Sequence, residues 1–106
     1  MRILAVDDEP VALSSVKRTM RHFGLRNVET CDSGKAAVEM LTRKDYDIVL
    51  LDLIMPDMNG LAVLKAVKPM RPSTEFIVVT AVDDVSMAVQ AVHLGAYDYL
   101  LKPVEG

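Results

Sequence analysis

The chain has 106 residues, of which 51% are hydrophobic and 25% charged, with a net charge of −3. That is the size and balance of one globular domain, with no basic excess to draw nucleic acid or an anionic membrane. A single cysteine excludes an internal disulfide, and no apolar run approaches the roughly 20 residues of a membrane span.

The N-terminus, MRILAVDDE, has a short apolar run that ends in acids, which is not the pattern of a secretory leader. A cytoplasmic protein is expected. Ile3–Val6 is the first strand candidate. Pro10 opens a helix, where its missing N–H does no harm, and Leu13, Val16, Met20 and Phe23 fall on one face of it before Gly24. Val28–Cys31 follows as a short strand, with Cys31 expected to be a buried or half-buried thiol. Ser33 is placed to cap a second helix whose apolar side is Ala36, Ala37, Met40 and Leu41.

Residues 47–60 read DIVLLDLIMPDMNG, so the strand Ile48–Leu51 runs straight into Asp52. A carboxylate at the end of such a run is costly if it stays buried without a partner. Leu61, Leu64 and Val67 space a third helix that Pro69 and Pro72 end. Phe76–Val79 is a fourth strand. Asp83 or Asp84 caps a fourth helix carrying Met87, Ala88, Ala91 and Val92, Gly95 stops it, and Tyr97–Leu101 is the fifth strand.

The order βαβαβαβαβ predicts an α/β fold, an open five-stranded parallel sheet with helices on both faces. All carboxyl ends of a parallel sheet lie on one edge, where ligands bind. Strand one ends at Asp7-Asp8, strand three at Asp52, strand four at Thr80-Ala81 and strand five at Lys102-Pro103. Three carboxylates brought together repel one another unless a cation neutralises them, and oxygen ligands suit a hard divalent ion such as Mg²⁺. Thr80 and Lys102 add donors suited to a phosphoryl group, and Asp52, the most central acid, is the natural nucleophile. Taken singly, these residues have plainer roles. Asp7-Asp8 can serve as acids at a helix N-terminus, Lys102 as a surface lysine and Tyr99 as a half-exposed strand aromatic.

From Arg2 to Pro103 the set resembles the receiver domain of two-component response regulators. The family's acidic pair matches Asp7 and Asp8, its phosphoacceptor matches Asp52 within LLDLIMPDMNG, its switch hydroxyl matches Thr80 followed by Ala81, its switch aromatic matches Tyr99 and its lysine matches Lys102. The resemblance implies a flavodoxin-like sheet of strand order 2-1-3-4-5. It implies Mg²⁺ or Mn²⁺ held by Asp7, Asp8, Asp52 and the backbone carbonyl of Ile54, and a phosphoryl group held by Thr80, Ala81 and Lys102. Switching would run through Thr80 and Tyr99, and the Lys102–Pro103 bond would be cis. The domain would take its phosphoryl group from a sensor histidine kinase or phosphotransfer protein, with no catalysis beyond its own phosphorylation and dephosphorylation. Ile54 and Val82, two residues after Asp52 and Thr80, are apolar where the family places residues bordering the phosphoryl group, which predicts a long-lived phosphoryl group.

Receivers continue into a fifth helix. Here residues 1–106 are expected to form a receiver cut after strand five, with one sheet face covered by the first helix alone. Dimerisation is one expected consequence, an effector domain is expected outside this chain, and Gln90, Tyr97 and Tyr99 are candidates for its output surface. Other readings fit less well. A phosphatase with an aspartyl-phosphate intermediate would need an acid where Ile54 stands. A flavin or nucleotide domain would need a phosphate-cradling loop where Asp7-Asp8-Glu9-Pro10 stands. A receiver-like module that only binds partners would not need the full set of chemical residues.

Overall fold

The computed structural model describes residues 1–102. Nine elements alternate: β1 (Ile3–Val6), α1 (Pro10–His22), β2 (Val28–Cys31), α2 (Gly34–Arg43), β3 (Ile48–Leu51), α3 (Gly60–Val67), β4 (Glu75–Thr80), α4 (Val85–His93) and β5 (Asp98–Leu101). The strands form one parallel sheet in the order β2-β1-β3-β4-β5. Val6 pairs with both Cys31 and Leu51, and Thr80 pairs with Leu101, so the strands end almost level along one edge.

Alternation along the strands divides the apolar residues between two faces. Leu4, Val6, Val49, Leu51, Phe76 and Val78 join Ala37 and Leu41 of α2, Val63, Leu64 and Val67 of α3 and Ala91 of α4 in the main core. On the other face Ile3 and Ala5 are buried. Leu50, Ile77 and Val79 are only half-buried among the described residues, because α1 packs on β1 and β2. Phe23, expected on the apolar stripe of α1, is exposed. It lies one residue past the helix, as its C-cap, where its ring meets His22 edge-on. β4 is one residue longer at each end than the apolar run, and β5 starts at Asp98.

The predicted caps form. Ser33 accepts from the Ala36 amide, and Asp84 accepts from the amides of Ser86 and Met87. Gly24 and Gly95 follow α1 and α4 at positive φ. Arg71, beyond α3, closes the C-terminus of α2. Its guanidinium donates to the carbonyls of Leu41 (2.8 Å) and Thr42 (3.2 Å) and pairs with Asp45 at 2.6 Å. A cation is favoured at that end of the helix dipole. Replacing Arg71 by alanine is expected to lower stability by about 1–2 kcal/mol, read as a lower urea midpoint at unchanged slope. Among the described residues no helix is long and apolar enough to cross a membrane.

Candidate functional site

The sheet's hydrogen-bond ladder runs one step beyond the strands, and that step fixes the chemical residues. The Asp7 amide donates to the Cys31 carbonyl, the Asp52 amide to the Val6 carbonyl at 3.0 Å, and the Lys102 amide to the Thr80 carbonyl at 2.8 Å. The three side chains therefore leave the backbone at one edge of the sheet, Asp7 and Asp52 from adjacent strands and Lys102 from two strands beyond Asp52.

Asp52 is answered by Lys102. The ammonium lies 3.0 Å from Oδ2 of Asp52 and 2.7 Å from Oδ2 of Asp7, and both acids are buried. Burial, the largest influence on Lys102, pushes its pKa down. The hydrogen bonds to Asp7 and Asp52, with the charges behind them, overcome this and hold it above the ordinary lysine range. The cation is thus fixed at any physiological pH. The other oxygen of Asp52 accepts a 3.3 Å bond from the Ile54 amide.

Asp7, Asp8 and Asp52 each present an oxygen, and the three oxygens lie within 4.8 Å of one another. Adjacent ligands of an octahedral Mg²⁺ are about 3 Å apart and opposite ones about 4.2 Å, so these carboxylates are donors of the right kind that would draw together on the ion. Asp8, Glu9, Asp52, Ile54, Thr80, Ala81 and Lys102 line one cavity of about 270 Å³ over these acids. The candidates from strands one, three, four and five are thus brought to one hollow.

Thr80 is fully buried, and its Oγ accepts a 3.4 Å bond from the Val82 amide. Tyr99 lies beside the hollow, not in it. Its hydroxyl donates a 2.6 Å bond to the Val82 carbonyl, so the half-buried ring already points toward the β4–α4 loop. Burial first, then the charges of Asp84, Asp83 and Asp52, hold the phenol proton on. The Lys102–Pro103 bond, expected to be cis, lies outside the described residues. Cys31 ends β2, half-buried, and burial pushes its thiol up to about 11, which removes it as a nucleophile.

Two acids stand in roles that the residue pattern did not reveal. Glu9 comes within 3.5 Å of the Lys102 ammonium, and its position directly after Asp7-Asp8 is the one signal that could have placed it there. Asp57 reaches the amides of Gly34 and Lys35, 23 and 22 residues away, and no local pattern announces that.

Residues 3–106 match the family described as "Response regulator receiver domain". The chain is 37% identical over 103 residues to the transcriptional regulatory protein ZraR of Escherichia coli (strain K12). The match covers 97% of this chain and 23% of that protein, so the chain spans under a quarter of the relative's length. Among solved structures, a response regulator protein from Burkholderia pseudomallei, with a phosphorylated aspartic acid, calcium ion and citrate, superposes with a TM-score of 0.90 at 25% identity. That match covers 98% of this chain and 61% of the other. The BeF3-activated receiver domain of DrrB, a Thermotoga maritima protein, gives a TM-score of 0.87 at 28% identity over 98% of this chain and 86% of its own.

Proposed function

The chain belongs to the response regulator receiver domain family of two-component systems, and from that premise we propose that Asp52 accepts a phosphoryl group from the phosphohistidine of a sensor kinase or phosphotransfer protein. The observation that best supports this is the half-buried Lys102 ammonium between the buried Asp7 and Asp52, beside a third carboxylate and an open hollow. An Asp52 oxygen forms a P–O bond as the donor's P–N bond breaks, and the electron pair leaves with the imidazole nitrogen.

Asp7, Asp8, Asp52 and the Ile54 carbonyl would hold Mg²⁺ (or Mn²⁺). When bound there, such an ion would offset charge on the phosphoryl oxygens. Lys102 would exchange its bond to Asp52 for one to a phosphoryl oxygen, and Ala81 lines the same hollow. Thr80 would turn its hydroxyl to the phosphoryl group and release the Val82 amide. Val82 also holds Tyr99 through its carbonyl, so one residue links the switch hydroxyl to the switch ring. A charge change at Asp52 would then bias two arrangements of the β4–α4 loop, and a partner or effector domain would read the difference.

Beryllium fluoride, a phosphoryl mimic, tests the switch. With Mg²⁺ it is expected to shift the amide resonances of Thr80, Ala81, Val82, Tyr99 and Lys102, reversibly on chelation. Shifts confined to the acids would leave the site without a switch.

Ile54 is 55% exposed and lines the hollow, yet it cannot orient a water. Ile54→Asn is therefore expected to speed loss of the phosphoryl group roughly tenfold, followed by intact mass over time after donor removal. Slower loss would contradict the assignment of this position.

A further inference from the structure

We propose that Asp57 is a positioning residue for the cation, holding the loop that carries the Ile54 carbonyl against the start of α2. The inference rests on the receiver reading above and deepens it.

The loop runs from Leu53 to Asn59, and both of its feet are fixed. Leu53 is fully buried and its carbonyl accepts the Gly60 amide at 2.8 Å, while the Asn59 side chain accepts the Leu61 amide at 2.7 Å. Between the feet Ile54, Pro56 and Asp57 are exposed, while Met55 is buried in the main core and Met58 packs against it. Those apolar anchors hold the span to the core, and Asp57 is its polar tie to the start of α2. One carboxylate oxygen accepts the Gly34 amide at 3.1 Å and the other accepts the Lys35 amide at 2.9 Å. The contact is close as well as polar. A Cβ on Gly34 would stand 2.8 Å from Cβ and 3.0 Å from the carbonyl oxygen of Met58, so a bare Cα is what lets the loop seat there.

The first four amides of α2 have no partner within the helix. The Ser33 side chain takes Ala36, and the Ser33 carbonyl takes Ala37 as the first bond of the helix. Asp57 takes Gly34 and Lys35 from across the fold. A negative charge there also faces the positive end of the dipole. The Lys35 amide holds the Asp57 carboxyl below its ordinary range, opposed by desolvation and reinforced by the Gly34 amide.

A backbone carbonyl can ligate Mg²⁺ only if its loop holds it within a few tenths of an ångström of about 2.1 Å from the ion, and groups that orient ligands this way typically change affinity by about 10–100-fold. Ile54 lies three residues from the tie, so a loss toward the lower end, about 3–10-fold, is expected on cutting it. Coupling is reciprocal. A cation that fixes Ile54 must also protect the Gly34 and Lys35 amides, although neither is at the metal site.

The test is Mg²⁺ titration by calorimetry of the wild-type chain, Asp57→Ala, Asp57→Asn and Arg71→Ala, with amide hydrogen exchange of the wild type with and without Mg²⁺. Arg71 holds the opposite end of the same helix and controls for lost stability. The expected result is Mg²⁺ affinity about 3–10-fold weaker in Asp57→Ala, intermediate in Asp57→Asn, which keeps one acceptor oxygen, and within twofold of wild type in Arg71→Ala. Exchange at Gly34 and Lys35 should slow on adding Mg²⁺. Unchanged affinity in folded Asp57→Ala, or an equal loss in Arg71→Ala, overturns the proposal. If Asp57→Ala does not fold, exchange decides: slower exchange at both amides supports the tie, and unchanged exchange overturns it. A wild-type chain that binds no Mg²⁺ would instead bring down the receiver reading on which the proposal rests.

Discussion

Replacing Lys102 by alanine is expected to destabilise the metal-free protein by about 2–4 kcal/mol, and Mg²⁺ is expected to restore most of that loss. The ammonium touches two buried carboxylates at 2.7 and 3.0 Å. Without it Asp7 and Asp52 face each other with no cation between them. Removing one partner of a buried ion pair costs about 3–5 kcal/mol, because the remaining charge has already lost its water. The expected loss starts about 1 kcal/mol lower than that range because the Lys102 side chain is 21% exposed and water relieves part of it. A divalent ion held by Asp7 and Asp52 would answer the same two carboxylates as the ammonium, so in the wild type Mg²⁺ would meet a competitor that the variant lacks. Thermal midpoints across a Mg²⁺ series should rise more steeply for Lys102→Ala and converge with wild type near saturation. A variant as stable as wild type without Mg²⁺, or one with a flatter Mg²⁺ response, would contradict this account of the site.

Gly60→Ala is expected to be the more disruptive change, although it adds one methyl group outside the hollow. A Cβ there would lie 2.3 Å from the Asp52 carbonyl oxygen and 2.8 Å from the Leu53 Cα. Both are backbone atoms, and neither can rotate aside. Either α3 must back away, breaking the bond from the Gly60 amide to the Leu53 carbonyl, or the Asp52 peptide must turn and take the carboxylate with it. The expected cost is about 3 kcal/mol or more, with a loss of Mg²⁺ affinity. Gly24→Ala provides the contrast. Gly24 has φ +82 but nothing within 4 Å of a Cβ, so only the left-handed backbone penalty of about 1–2 kcal/mol applies. Urea midpoints of the two variants decide. A Gly60→Ala protein that is no less stable than Gly24→Ala and still binds Mg²⁺ would show that the close approach does not matter.

Much of this was legible in the residues because it depends on short-range pattern. Ile3–Val6 and Ile48–Leu51 are bounded in the structure where their apolar runs are bounded, and Val28–Cys31, which is not an apolar run, has the expected ends. Ser33 and Asp84 cap because an oxygen-bearing side chain stands just before a helical period. The meeting of Asp7, Asp52, Thr80 and Lys102 followed from one rule, that parallel strands end on one edge. Phe23 misled because its spacing continues the stripe of α1 one residue past the point where the helix stops. Asp57, Arg71 and the tight seat of Gly60 were not legible. Each is set by how a loop approaches an element 7 to 30 residues away, and spacing along the chain carries no such information. The inward setting of Tyr99 is of the same kind, since it depends on a single hydroxyl reaching the Val82 carbonyl.

The most direct measurement is the intact mass of the chain after incubation with a small-molecule phosphodonor and Mg²⁺, beside Asp52→Asn and a chelated sample. The account predicts the gain of one phosphoryl group in the wild type and none in either control. A wild-type protein that is folded and binds Mg²⁺ but gains no mass, or an Asp52→Asn protein that gains as much as wild type, would contradict Asp52 as the metal-dependent acceptor.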